Sequence, residues 1–240
     1  MREKLLHNAS WSGETRCENL IYITGDTHGD YDDFQYRLRS LPVGSGDTVI
    51  VCGDFGFVWE EPQDGELLSK LAEMPFSIAF VDGNHENFDL LEMYPVVSWN
   101  GGNAHRIAGN IFHLMRGQCF TIEGKIFFTF GGAYSVDKAF RAEGRSWWHQ
   151  EIPGSEDYRT ARQTLESCGY AVDYVLTHTV PQSVIHCLGL VPDAHDAELT
   201  GYLEWLYETL SFRMWYAGHF HVNRLVREKV QILYDEVAAI

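Results

Sequence analysis

Short, wholly apolar runs alternate with amphipathic stretches through the first part of the chain. Leu20 to Thr24 (LIYIT) is a continuous apolar run stopped by Gly25, the pattern of a buried strand. Phe34, Leu38 and Leu41 then fall at helical spacing, and Pro42 closes that segment. Thr48 to Cys52 (TVIVC) is β-branched and ends at Gly53. Leu67, Leu68, Leu71 and Met74 form a helical stripe stopped by Pro75. Ser77 to Val81 predicts a third strand ending at Asp82-Gly83, and Glu86 to Met93 a short helix before Pro95. A β-α-β-α-β order of this kind implies parallel strands joined by helical crossovers.

The pattern then changes. Ile107, Ile111, Phe112, Leu114 and Met115 surround Gly109-Asn110, while Phe120 to Ile122 and Ile126 to Phe130 flank Glu123-Gly124. Turn dipeptides between apolar runs predict hairpins, so the sheet system becomes mixed. Residues 132–154 are irregular and rich in aromatic and basic groups. Helices are expected at Glu156 to Ser167 and at 197–210, the latter with Leu203, Leu206, Tyr207 and Leu210 on one face. Val172 to Thr177, Met214 to Ala217, Asn223 to Val226 and Val230 to Tyr234 predict the remaining strands. The whole is an α/β chain with mixed sheets, read as a single domain over residues 1–240.

Composition adds limits. The 240 residues are 45% hydrophobic and 22% charged, with a formal net charge of −16. Such an acidic surface disfavours binding to duplex nucleic acid or anionic lipid by bulk electrostatics, although metal charge can dominate a local cleft. The cysteines, Cys17, Cys52, Cys119, Cys168 and Cys187, are odd in number and include no C-x-x-C pair, so free buried thiols are expected. No apolar run is long enough to span a bilayer, and the polar leading residues lack the apolar core of a signal peptide. The expected location is therefore cytoplasmic, which makes the Asn8-Ala9-Ser10 glycosylation match a chance one. Neither oligomeric state nor partner beyond a substrate is legible.

Candidate chemistry gathers where the predicted strands stop. Gly25-Asp26-Thr27-His28-Gly29 follows the first, Gly53-Asp54 the second and Gly83-Asn84-His85-Glu86 the third. His178 follows Val172 to Thr177, and Gly218-His219-Phe220-His221 follows Met214 to Ala217. In open α/β sheets the ligand crevice lies at the carboxyl ends of strands, so these distant residues can converge. Asp26 and His28 are two apart and point to one side of extended backbone, as do His219 and His221. Carboxylate, amide oxygen and imidazole donors suit manganese, iron, zinc or nickel as a dinuclear centre.

These blocks, D-x-H, G-D, G-N-H, an isolated His and G-H-x-H, occur in that order from about Ile21 to His221. In this the chain resembles the calcineurin-like metallophosphoesterase family. Its G-D-T-H-G and G-N-H-E are similar in style to the branch of phosphoprotein phosphatases and diadenosine tetraphosphatases. The resemblance implies a sandwich of two mixed β-sheets flanked by helices. It implies one metal held by Asp26, His28, Asp54 and His221 and a second by Asp54, Asn84, His178 and His219, with Asp54 bridging. His85 would protonate the leaving group or contact the phosphate, beside Asn84. The branch carries an acidic residue and an arginine after its second block; here that stretch reads Gly53-Asp54-Phe55-Gly56-Phe57-Val58 and has neither.

The expected activity is hydrolysis of a phosphate ester, on a small molecule or a phosphoprotein, by water activated between two divalent cations about 3.5–4 Å apart. A nuclease or phosphodiesterase on the same centre is the enzymatic alternative, and a non-catalytic scaffold the third. Arg141 and Arg145, in the loop after Gly131-Gly132, are candidate phosphate contacts or ordinary surface arginines. Trp147 and Trp148 either stack a substrate ring or pack the loop.

Overall fold

Seven strands form one sheet and six another, and the two lie face to face in the computed structural model, which describes residues 18–59 and 63–240. Cys17 and the Asn8-Ala9-Ser10 match lie outside those residues. The elements in chain order are β1 (Ile21–Thr24), α1 (Tyr31–Leu38), β2 (Thr48–Cys52), α2 (Gln63–Ala72), β3 (Ser77–Val81), α3 (Phe88–Leu91), β4 (Val96–Trp99) and β5 (Gly102–Arg106). They continue as β6 (Ile111–Leu114), β7 (Gln118–Ile122), β8 (Lys125–Phe130), α4 (Ser155–Ser167), β9 (Tyr174–Thr177), α5 (Gln182–Cys187) and α6 (Ala197–Thr209). Last come β10 (Met214–Ala217), β11 (Arg224–Val226), β12 (Val230–Ile232) and β13 (Ala238–Ala239).

The first sheet runs β13-β1-β2-β3-β6-β5-β4, with β1, β2, β3 and β6 parallel. The second runs β11-β12-β10-β9-β8-β7, with β8, β9, β10 and β12 parallel. Both sheets are mixed, because hairpins add antiparallel strands at their edges. Alternation along each strand sorts the side chains into layers. From β2, Ile50 and Cys52 face the second sheet, in a core shared with Phe127, Leu176 and Tyr216. Val49 and Val51 face outward, onto Phe34 and Leu38 of α1 and Leu71 of α2. On the far side Val175, Trp215 and Ile232 pack under α4, α5 and α6 through Leu165, Val184 and Leu203. Helices thus cover both outer faces, so the parallel strands are buried on both sides and read as continuous apolar runs.

Several boundaries differ from expectation. α3 begins at Phe88, not Glu86, because Asn87 caps it by accepting from Leu90 N, and Glu86 is occupied elsewhere. α1 ends at Leu38, and β11 and β12 are shorter than the runs that predicted them. β4, β5, α5 and β13 carried no usable signal. The four described cysteines are free, and no described helix is long and apolar enough to cross a membrane.

Candidate metal centre

The parallel strands of both sheets end at a common edge, where the backbones interlock. Gly218 N donates to His178 O at 3.0 Å, which ties the end of β10 to that of β9. Thr27 N and His28 N both donate to Asp54 O, at 3.1 and 2.8 Å, joining the ends of β1 and β2. The Asp26 carboxylate crosses to the second sheet and accepts from His219 N at 3.0 Å through each oxygen. These bonds force sharp backbone turns. His28, Asp54, His219 and His221 all have positive φ (47°, 51°, 70° and 50°), conformations that cost of order 1–3 kcal/mol each for residues with a Cβ. Packing is close enough to require glycine at Gly83, where a Cβ would lie 2.1 Å from Asp54 Oδ1.

The side chains converge accordingly. His178 is wholly buried, with Nε2 3.1 Å from Asn84 Oδ1 and 3.4 Å from Asp54 Oδ1. Its Nδ1 lies 2.8 Å from the Cys52 carbonyl oxygen, which can only accept, so Nδ1 carries a proton and Nε2 is the nitrogen turned inward. Asn84 is oriented by its Nδ2, which donates to Ser135 Oγ at 3.1 Å and leaves Oδ1 aimed at His178. His219 stacks edge-on to His178, with ring centroids 4.9 Å apart. On the open side His28 Nε2 lies 3.1 Å from His221 Nε2, His221 Nε2 lies 3.9 Å from Asp26 Oδ1, and His28 Nδ1 lies 3.9 Å from Asp54 Oδ2. All seven residues expected from the sequence are therefore brought together.

This donor set fits divalent cations. Ligand atoms of Asp26, His28 and His221 lie within 4.8 Å of one another, as do those of Asp26, Asp54 and His178. That grouping shares Asp26, whereas the resemblance makes Asp54 the bridge. Asp54 also reaches both groups, with Oδ1 3.4 Å from His178 Nε2 and Oδ2 3.9 Å from His28 Nδ1. The electrostatics show how far the cluster is from balance without a cation. Burial raises the Asp26 carboxyl to about 6, against the pull of His178. Burial would lower the His178 imidazole, but the Asp54 carboxylate lifts it to about 10, so a proton sits where a metal would. Burial, with His178 beside it, lowers His219 to about 3, leaving that ring neutral and free to ligate.

His85 lies at the rim, its backbone N donating to Asp54 Oδ1 at 2.8 Å and its ring 5.4 Å from that of His28. Arg141, one of the two candidate arginines, reaches it: Nη2 is 2.9 Å from His85 Nδ1, and Nη1 donates to Ser135 Oγ at 2.7 Å. Arg145 is exposed, its backbone N donating to Ala142 O, and no described bond joins its side chain to the cluster. Trp148 is packing: it is buried, donates from Nε1 to Asp89 Oδ2 at 2.8 Å, and meets Trp59 edge-on.

Sequence reasoning missed the supports. Arg37, buried under the first ligand loop, donates from Nη2 to Asp26 O at 2.9 Å and from Nη1 to Gly25 O at 2.7 Å. Glu86 is fully buried and accepts from Phe55 N at 2.7 Å and Gly56 N at 3.4 Å, tying the second ligand loop to the third. Burial and the nearby Asp54 charge raise the Glu86 carboxyl to about 8. An acid directly after Asn84-His85 was a visible signal for Glu86; Arg37 and Ser135 had none.

A two-sheet sandwich carrying carboxylates, an amide and imidazoles at its strand ends has the frame and the donors of a metal-dependent hydrolase. The chain belongs to the calcineurin-like phosphoesterase family, whose model matches residues 20–223 and whose members are generally metal-dependent phosphoesterases. A comparison with curated proteins gave no match.

Proposed function

We propose that the chain is a dinuclear-metal phosphoesterase that hydrolyses a phosphate ester with water as nucleophile. Asp26, His28, Asp54 and His221 would hold one divalent cation, of manganese, iron, zinc or nickel. Asp54, Asn84, His178 and His219 would hold the other. When bound, the pair supplies an acidified water and positive charge against the phosphoryl oxygens.

The chain's own residues then have defined tasks. Cys52 O and Ser135 Oγ fix His178 and Asn84 in the orientations that ligation needs. Arg141 has only donors, so the His85 nitrogen facing it must accept. The N–H of neutral His85 is thereby placed on Nε2, free to donate a hydrogen bond to the leaving oxygen as its charge develops. Burial, with the Arg141 charge as a smaller contribution, lowers the His85 imidazole, while Asp54 opposes them. This histidine is thus held by a cation where the related branch uses an acid.

The observation that carries the reading is His178 Nε2, a buried ring nitrogen facing an amide oxygen and a carboxylate oxygen, with no lysine or arginine beside it among the described residues. The test is metal content by mass spectrometry of the purified chain loaded with manganese, alongside hydrolysis of 4-nitrophenyl phosphate. Two ions per chain and chelator-sensitive hydrolysis are expected. No bound metal and no metal-stimulated hydrolysis would refute it.

A further inference from the structure

Glu151 closes a short 3₁₀ turn, His149–Glu151, and its side chain is buried at 3% exposure, one hydroxyl away from Asn84. The backbone fixes it there. Glu151 O accepts from Ala133 N at 3.1 Å, and Arg116 Nη2 donates to the preceding carbonyl, Gln150 O, at 2.6 Å. Trp148 N donates to Glu151 Oε1 at 3.3 Å. A Cβ on Gly132 would stand 2.7 Å from Glu151 O, so this turn and the loop after β8 touch backbone to backbone.

The hydroxyl between Glu151 and Asn84 is that of Ser135, which is 1% exposed. A serine hydroxyl has one proton to give and two lone pairs to fill. Arg141 Nη1, 2.7 Å away, can only donate and fills one lone pair. The Ser135 hydroxyl also bonds the Glu151 carboxyl, which burial raises and Ser135, Arg141 and Trp148 N hold down. Glu151 Oε1 stands 3.7 Å from Arg141 Nη1, and a guanidinium that keeps its charge favours the charged carboxylate beside it. A carboxylate only accepts, so the proton of that bond is the serine's. The other acceptor in reach, Asn84 O, is 3.5 Å away, long for an O–H···O bond. One lone pair remains, and the Asn84 side chain faces it at 3.1 Å. Only the N–H₂ end of an amide can occupy that place. Oδ1 is therefore turned the other way, towards His178 Nε2.

The two ends of an amide are opposites to a cation, since the oxygen ligates and the N–H₂ group does not. We propose that Glu151 is a positioning residue for the second ion, selecting the ligating end of Asn84 through the Ser135 hydroxyl. The inference rests on the dinuclear reading above. Glutamine at position 151 reverses the selection at nearly constant size. Its own N–H₂ donates to Ser135, the serine proton turns to Asn84, and the amide oxygen turns away from the other ligands to receive it.

The test is titration of the metal-free chain with manganese, the free ion being read by electron paramagnetic resonance. In Glu151→Gln one of the two ions should bind about 10-fold or more weakly, the usual effect of losing an outer partner of a ligand, and the other as in the wild type. Asn84→Asp supplies the decisive background, because a carboxylate offers oxygen at both ends. Asn84→Asp shifts affinity by itself, but adding Glu151→Gln to it should change affinity by less than about 2-fold, a coupling that a purely structural role would not produce. Thermal melts in chelator check that the variants fold. Ser135→Ala leaves the backbone bonds of Glu151 in place and reads the same link if Glu151→Gln does not fold: it too should weaken one ion. Equal losses with Asn84 and with Asn84→Asp, or no loss in either Glu151→Gln or Ser135→Ala, overturn the inference and leave the two-ion reading standing. A wild-type chain that binds fewer than two ions overturns that reading and this inference with it.

Discussion

Two buried clusters of aspartate and histidine lie close together in this molecule, and only one of them lacks charge balance. At the end of β3, Asp82 Oδ1 faces His113 Nε2 at 3.2 Å, and His113 Nδ1 faces His105 Nδ1 at 3.0 Å. The other carboxylate oxygen accepts from Arg116 Nε at 2.9 Å, and Arg116 donates onward to Gln150 O at 2.6 Å. Each donor there meets an acceptor, and a guanidinium that cannot lose its proton neutralises the carboxylate. Two residues further on begins the other cluster. Asp26 and Asp54 are as deeply buried as Asp82, yet among the described residues no lysine or arginine pairs with either carboxylate. Arg37 and Arg141 stand nearby, but they bond backbone carbonyls, Ser135 and His85. The same residue types thus make a closed strut in one place and, in the other, a cage whose balance must come from outside. The presence of Asp and His says little; the presence of a permanent internal cation separates the two.

The largest effect should come from the open cluster. Asp54→Asn keeps size and hydrogen-bonding capacity but removes the carboxylate whose oxygens face both sides. Hydrolysis of 4-nitrophenyl phosphate should fall by at least ~10³-fold, equivalent to about 4 kcal/mol of barrier. Bound metal, measured after dialysis, should fall with it while the circular dichroism spectrum is kept. Activity near wild type would remove Asp54 from the centre.

The closed cluster should respond oppositely. Asp82→Asn leaves the buried Arg116 charge with Asp157, 3.4 Å away, as its remaining carboxylate partner among the described residues, beside the neutral Gln150 carbonyl. Breaking a buried pair from one side costs roughly 3–5 kcal/mol. At about 2–4 °C per kcal/mol for a chain of this size, the melting temperature in chelator should drop by roughly 6–20 °C. A shift within about 1 °C, on that same scale, would show that the network contributes nothing to stability.

The two clusters also differed in how visible they were. The open one was legible because strand-end ligands are separated by buried apolar runs, and those runs have an unmistakable pattern. The closed one was not. His105 lies in β5, whose sequence Gly102–Arg106 (GNAHR) has no β-branched residue, and β4 is a four-residue edge strand with alternating exposure. Arg116 follows β6 in a tight connection, and nothing in its neighbourhood marks it as the partner of Asp82. Arg141 was visible as a candidate for phosphate, yet the atom it meets is His85 Nδ1. Spacing along a chain reports which backbone positions share an edge; it does not report how a long side chain from a loop will bend.

A pH titration separates the clusters without mutating either carboxylate. Burial, reinforced by His113, lowers the His105 imidazole from 6.5 to about 4. Above pH 6.5 the ring is neutral in both folded and unfolded chains and costs nothing. As pH falls from 6.5 to 4 the unfolded chain gains a proton that the folded chain refuses, so stability is lost across that window and levels off below it. His105 should account for up to about 3 kcal/mol of the loss. His105→Gln keeps an N–H donor for His113 but does not titrate, so its metal-free stability should fall less between pH 6.5 and 4 than that of the wild type. Parallel profiles would mean that His105 titrates alike in both states.

The smallest expected effect bears on the link between strut, loop and cage. Arg141 spans His85 Nδ1 and Ser135 Oγ with two nitrogens of one plane, at 2.9 and 2.7 Å, and Glu151 lies 3.7 Å from it. Lysine keeps the charge but offers a single point, so Arg141→Lys leaves either His85 or Ser135 without its donor. The proton of His85 is then free to move between the two ring nitrogens. A positioned proton donor supplies roughly 10²–10⁴ in rate, and misplacing it part of the time should cost about 10-fold in kcat/KM. That loss should be concentrated in phenyl phosphate, whose leaving oxygen needs a proton, and be small for 4-nitrophenyl phosphate, whose leaving oxygen does not. Equal losses on both esters would make Arg141 a contact to phosphate or to the fold, and would leave His85 to be oriented by its backbone bond to Asp54 alone.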